Sequence, residues 1–143
     1  MTTKELAELA ARNIKKNATI DTETGLAALE KIAKVAEKEE VRWALIGGIA
    51  MHVYGGPRQT RDVDVIAAKA LSLRSERQLG FGGERYVSKV GKREVPVDWI
   101  VRKDEAKKFY EAALDESITL HGVPIITPEW LVILKYIAGR FKD

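Results

Sequence analysis

Leu6, Ala10 and Ile14, with Ala7 and Ala11 beside them, recur at helical spacing and predict a short helix over Lys4 to Lys16 with one apolar stripe. The same spacing returns at Leu26, Leu29, Ile32, Ala33 and Ala36, predicting a second helix over Thr22 to Glu39 that Asp21 or Thr22 caps. Both stretches are rich in alanine and charge, as packing helices with solvated outer faces are. From Val41 the period shortens. VRWALIG reads as a strand, GGIAMHVY as a tight turn feeding a helical turn or two, and GGPRQTR as a loop. DVDVIAA follows as a strand whose Val63 and Val65 point one way and whose Asp62 and Asp64 point the other. Lys69 to Leu79 predicts a weak helix and GFGG a turn. ERYVSKV and REVPVDWIV then form the arms of a hairpin around Gly91, with Val95, Val97, Trp99 and Val101 alternating against Pro96, Asp98 and Ile100. Asp104 to Leu114 is an amphipathic helix and ITLHGVPIIT a last short hairpin. Thr127-Pro128-Glu129 carries a capping threonine, a first-turn proline and an acid, and opens a helix with Leu131, Leu134, Ile137 and Ala138 on its apolar face.

Interleaved strands and helices with hairpins among them place the chain in the α/β class, in its mixed α+β form: a mixed sheet with helices packed on it. No internal repeat or dividing linker is visible. The 143 residues suit a single domain, 1–143, with N-terminal helices over 1–40 and an α/β core over 41–143. A content of 45% hydrophobic and 31% charged residues is that of a globular protein and argues against disorder. No apolar run approaches the roughly 20 residues of a membrane span. The N-terminus MTTKELAELAARNIKK has no signal-peptide core, so a cytoplasmic location is expected.

Composition also narrows the chemistry. Cysteine is absent, which excludes disulfides, zinc–thiolate sites and a cysteine nucleophile. Any metal must be held by oxygen or histidine; with only His52 and His121 a histidine-rich centre is disfavoured, which leaves oxygen-ligated Mg2+ or Mn2+. A net charge of +3 with scattered lysines and arginines is compatible with a phosphate-bearing partner but does not by itself indicate a nucleic-acid face.

Asp62 and Asp64 stand two apart on a strand, which puts their Cα atoms about 6–7 Å apart on one face. Such a pair repels itself unless a divalent cation or the nearby Arg58 and Arg61 neutralise it. Asp98 interrupts the apolar strand VPVDWIV, where a carboxylate without partners costs several kcal/mol. As a third carboxylate on another strand it would complete a metal-binding trio, able to support or activate an incoming nucleophile. Gly47 and Gly48 end one strand and open a helical turn, where bare backbone N–H groups can hold a polyphosphate. Lys135, at the margin of the last helix's apolar face, either snorkels to water or meets an anion. His52, Trp43, Trp99 and Trp130 read as packing residues, and the serines lack the histidine–acid pattern of a nucleophilic triad.

The run GG-(x)-A…G-x-x-R-x-T-R-D-V-D-V resembles the nucleotidyltransferase fold of the DNA polymerase beta superfamily, in the variant with GG where many members have GS. The resemblance covers Val41 to Ala67, with Val95 to Val101 as the strand bearing the third carboxylate. PEWLVILKYIAGRFKD is similar to the helix motif of the minimal nucleotidyltransferase and AbiEii-like toxin groups, with Lys135, Arg140 and Asp143 in the echo. The resemblance implies that Asp62, Asp64 and Asp98 bind catalytic Mg2+, that Gly47 and Gly48 contact a nucleoside triphosphate, and that Arg58, Thr60 or Arg61 lie close to it. It moves Lys135 towards a phosphate or active-site carboxylate contact. The implied activity is transfer of a nucleoside monophosphate, from ATP or another triphosphate, to a hydroxyl of a transfer-RNA end, a protein or a small molecule, within a toxin–antitoxin system that would bring a cognate partner. The alternative is a catalytically silent module of the same fold that binds a partner through its amphipathic helices. A phosphatase of the haloacid dehalogenase kind fits less well, because its paired aspartates stand on a first strand near the N-terminus.

Overall fold

The computed structural model describes residues 2–8, 19–56 and 60–140. Residues 3–8 are helical; the rest of the helix expected over Lys4 to Lys16 lies outside the described residues. The elements that follow are α1 (Thr22–Lys38), β1 (Trp43–Ile46), α2 (Gly47–Val53), β2 (Val63–Ala67), β3 (Arg77–Gln78), β4 (Gly83–Val90), β5 (Arg93–Ile100), α3 (Lys107–Asp115), β6 (Ile118–Leu120), β7 (Val123–Ile125) and α4 (Pro128–Arg140). Caps fall where the sequence places them. Asp21 Oδ1 accepts from the Thr24 amide at 2.7 Å at the start of α1, and Thr127 Oγ1 accepts from the Trp130 amide at 3.3 Å at the start of α4.

Among the described residues, seven strands form one mixed sheet in the order β3-β4-β5-β2-β1-β7-β6. β2 runs parallel to β5 and antiparallel to β1, and β7 runs parallel to β1, so the mixed sheet expected from the sequence is what forms. The central strands are buried on both faces. On one face Val63, Val65, Val95, Val97 and Trp99 pack under α1 through Ala28, Leu29 and Ile32. On the other, Ala44, Ile46, Ile66 and Ile100 pack against α3 and α4 through Tyr110, Leu114, Leu134 and Ile137. Trp99 is fully enclosed, its ring tilted against Trp43 and Tyr86 with centroids 6.3 Å apart in each pair. Covering an alternating strand on both sides leaves its polar positions beneath helices. This is how Asp98 comes to be buried.

Two expectations need correction. Lys69 to Leu79 is not a helix but a bent segment ending in β3. Long-range hydrogen bonds take its backbone groups: Tyr86 Oη accepts from the Leu71 amide at 2.9 Å, Trp99 Nε1 donates to the Lys69 carbonyl at 2.9 Å, and Glu39 Oε1 accepts from the Ser72 amide at 3.0 Å. Tertiary partners outweigh a weak local helical preference here. β2 begins at Val63, so Asp62 sits on the bend that precedes the strand and not within it. Among the described residues no helix is long and apolar enough to cross a membrane.

Candidate active site

Sheet register assembles the site. Asp64 on β2 lies directly opposite Asp98 on β5, and Asp98 lies opposite Arg85 on β4. Residues opposed across strands share a face, so Asp64, Asp98 and Arg85 line up on the side covered by α3 and α4. Asp62, one bend earlier, joins them: carboxylate oxygens of Asp62, Asp64 and Asp98 all lie within 4.8 Å of one another. The helices above do not close over this row. They leave a cleft of about 420 Å³ whose walls include Gly47, Gly48, Thr60, Asp64, Asp98 and Lys135.

The glycine pair reaches the carboxylates through close approach. Gly47 adopts φ +75°, and a Cβ there would stand 2.6 Å from Asp64 Oδ2. A Cβ on Gly48 would stand 2.9 Å from Cβ of Thr60. The β1–α2 turn therefore presents bare backbone to the carboxylate row and to Thr60, which caps the following bend by donating from Oγ1 to the Asp62 carbonyl at 2.8 Å. Tyr54 at the end of α2 ties the turn to the sheet by donating to the Ile126 carbonyl at 2.8 Å.

Arg85 is the cation of the row. Its Nε and Nη2 donate to Asp98 Oδ1 and Oδ2 at 2.6 and 3.0 Å, and Nη2 also donates to Asp62 Oδ2 at 3.1 Å. One guanidinium faces three carboxylates, and the imbalance falls on Asp64. Burial, then the charges of Asp62 and Asp98, push the Asp64 carboxyl well above its usual range, against a weaker pull from Arg85. Burial and Asp98 raise Asp62 as well, opposed by a hydrogen bond with Asp64 and then by Arg85 and Arg77. Arg85 in turn is held more firmly protonated, chiefly by its hydrogen bonds to Asp98. An all-oxygen set in which three carboxylates face one guanidinium is the donor chemistry that Mg2+ and Mn2+ prefer. The residues fit such an ion.

Of the residues singled out in the sequence, Asp62, Asp64, Asp98, Gly47, Gly48 and Thr60 converge, and Lys135 reaches the same cleft from exposed positions on α4. Arg61 is exposed and does not line the cleft; Arg58 lies outside the described residues. His52 takes a hydrogen bond with Thr22 Oγ1, and Trp43, Trp99 and Trp130 all pack against the cores. Arg85 was missed. So was Arg102, whose guanidinium is clamped over the rings of Phe81 and Tyr110 at 4.6 and 4.8 Å and forked onto Asp104 at 2.9 and 2.6 Å, on the cleft wall.

The same arrangement of sheet and helices occurs in solved structures. An antigenic nucleotidyltransferase-like protein from Paracoccidioides brasiliensis superposes with a TM-score of 0.55 at 15% identity, over 87% of this chain and 70% of that one. A candidate nucleotidyltransferase from Thermotoga maritima gives 0.51 at 15% identity, over 82% and 86%. The fold is nucleotidyltransferase-like. At this identity the likeness establishes architecture and leaves the chemistry to the site. No protein-family model matches the chain, and no curated protein matches it significantly.

Proposed function

We propose that the chain is a metal-dependent nucleotidyltransferase that moves a nucleoside monophosphate from a nucleoside triphosphate to a hydroxyl acceptor. One observation carries this reading: the backbone of Gly47 stands against Asp64 in a row that also contains Asp62 and Asp98. A triphosphate lying along the glycine turn thus meets the carboxylates. Mg2+ or Mn2+ held by Asp62, Asp64 and Asp98 would neutralise triphosphate charge and acidify the attacking hydroxyl. The chain's own residues do the remainder. Gly47 and Gly48 admit phosphate oxygens where a side chain would block them, and Thr60 and Lys135 offer a hydroxyl and an ammonium to the cleft. The acceptor oxygen bonds to the α-phosphorus, the bond from that phosphorus to the bridging oxygen breaks, and pyrophosphate leaves with the electron pair. Asp98 takes the acceptor's proton.

ATP is the first triphosphate to test, and an RNA end, such as that of transfer RNA, or a protein hydroxyl the first acceptors. The resemblance of the sequence PEWLVILKYIAGRFKD to the AbiEii-like helix motif supports a toxin–antitoxin role with a cognate partner, for which a cytoplasmic location is expected. A second reading, a silent partner-binding module of residues 1–143, is favoured by one feature: Val132 and Tyr136 on α4 are 71% and 67% exposed beside Lys135. Incubation with Mg2+, each α-labelled triphosphate and a transfer-RNA pool separates the two. The proposed activity puts label into RNA or protein with matching pyrophosphate release, abolished in Asp62→Asn/Asp64→Asn. Absence of both label and pyrophosphate with all four triphosphates supports the binding module.

A further inference from the structure

Arg85 occupies the carboxylate oxygens that a cation would contact. Its fork covers both oxygens of Asp98 and one of Asp62, at 2.6, 3.0 and 3.1 Å, and it is held in place by its position opposite Asp98 in an eight-residue antiparallel pairing. Its side chain is 18% exposed, so water does little to screen it. Asp64, by contrast, has no cation in hydrogen-bonding reach among the described ion pairs. The cluster is therefore split: one arm is already neutralised by a fixed guanidinium, and the other is left carrying excess charge.

We propose that Arg85 is the resident counter-ion of the cluster and sets its cation affinity by competing with the divalent ion for Asp98 and Asp62. The proposal rests on the metal-binding reading given above and adds to it a residue that holds the trio together without the ion while keeping the ion weakly bound. Two effects oppose each other. A guanidinium about 3 Å from the same oxygens repels an incoming dication and withholds lone pairs, which lowers affinity. It also prevents the three carboxylates from splaying apart, which favours affinity by pre-organisation. The repulsion is the larger, because the sheet already fixes Asp64 and Asp98 opposite each other whether or not Arg85 is present. Arg77, opposite Arg85 on β3, adds a weaker field of the same sign.

The test is Mn2+ titration of the full chain, without nucleotide, followed by electron paramagnetic resonance, with thermal melts as a second readout. Arg85→Met is expected to bind Mn2+ on the order of tenfold more tightly than the wild type, to melt lower without the ion, and to gain more from it. Arg85→Lys, which keeps the charge but cannot fork, is expected to fall between the two, and it carries the test if Arg85→Met does not fold. The gained affinity must vanish in Arg85→Met/Asp64→Asn. Mn2+ affinity unchanged or weaker in both single variants, with the wild type binding the ion, overturns the competition while leaving the metal site standing. No Mn2+ binding by folded wild type or variants overturns both.

Discussion

Asp64→Asn is expected to give a more stable and inactive protein. The carboxyl it replaces is packed under the Gly47 turn, and burial together with Asp62 and Asp98 drives its affinity for a proton upward. A folded-state value raised above the unfolded one means that the folded chain binds the proton more tightly. Stability then increases as pH falls through the folded value and is fully gained only below the unfolded value of about 4. Above that range the Asp64 carboxyl is a net cost to the fold. Replacing it with a neutral side chain of the same shape should stabilise the metal-free chain by about 1–2 kcal/mol at pH 8. The difference between variant and wild type should shrink as pH falls to 5. Activity should drop by about three orders of magnitude, the size of effect expected when one element of charge stabilisation in phosphoryl transfer is lost. Paired thermal melts at pH 8 and 5, with a transfer assay, check both halves. A variant that is less stable than wild type at pH 8 contradicts the electrostatic account of Asp64.

Gly47→Ala has the second large effect. An alanine at φ +75° is strained by about 1–2 kcal/mol, and its Cβ would stand 2.6 Å from Asp64 Oδ2, inside any normal contact. Gly55 separates the two contributions. It also has positive φ, +96°, but a Cβ there meets nothing within 4 Å. Gly55→Ala should therefore show the backbone cost alone, with nucleotide and cation binding intact. Gly47→Ala should lose about 2–4 kcal/mol and, with Asp64 pushed aside, lose cation-dependent nucleotide binding by at least tenfold. Equal effects of the two substitutions in denaturant melts and nucleotide titrations would remove Gly47 from the site.

Much of this geometry is legible in the sequence because the sheet obeys a period of two. Alternation around Val63 and Val65, and again around Val95, Val97 and Trp99, fixes which face Asp64 and Asp98 share. Glycines at the end of an apolar strand then place the turn beside them. Arg85 was also within reach: a two-residue turn at Gly91-Lys92 makes Arg85 the partner of Asp98, but reading the hairpin only as centred near Gly91 leaves the register open. The segment from Lys69 departs from its local helical pattern for another reason. Its conformation depends on Tyr86, Trp99 and Glu39, none of which is nearby in sequence. In the Arg102 clamp only Asp104, two residues on, is local; Phe81 and Tyr110 come from separate parts of the chain, and no short-range spacing announces them.

Isothermal titration of the purified chain with each nucleoside triphosphate, with and without Mg2+ and repeated on Asp62→Asn/Asp64→Asn, tests the central claim most directly. Binding is expected to require Mg2+, to favour at least one triphosphate, and to weaken at least tenfold in the double substitution. Triphosphate binding indifferent to both Mg2+ and the two aspartates, or no binding by the folded wild type, would contradict it.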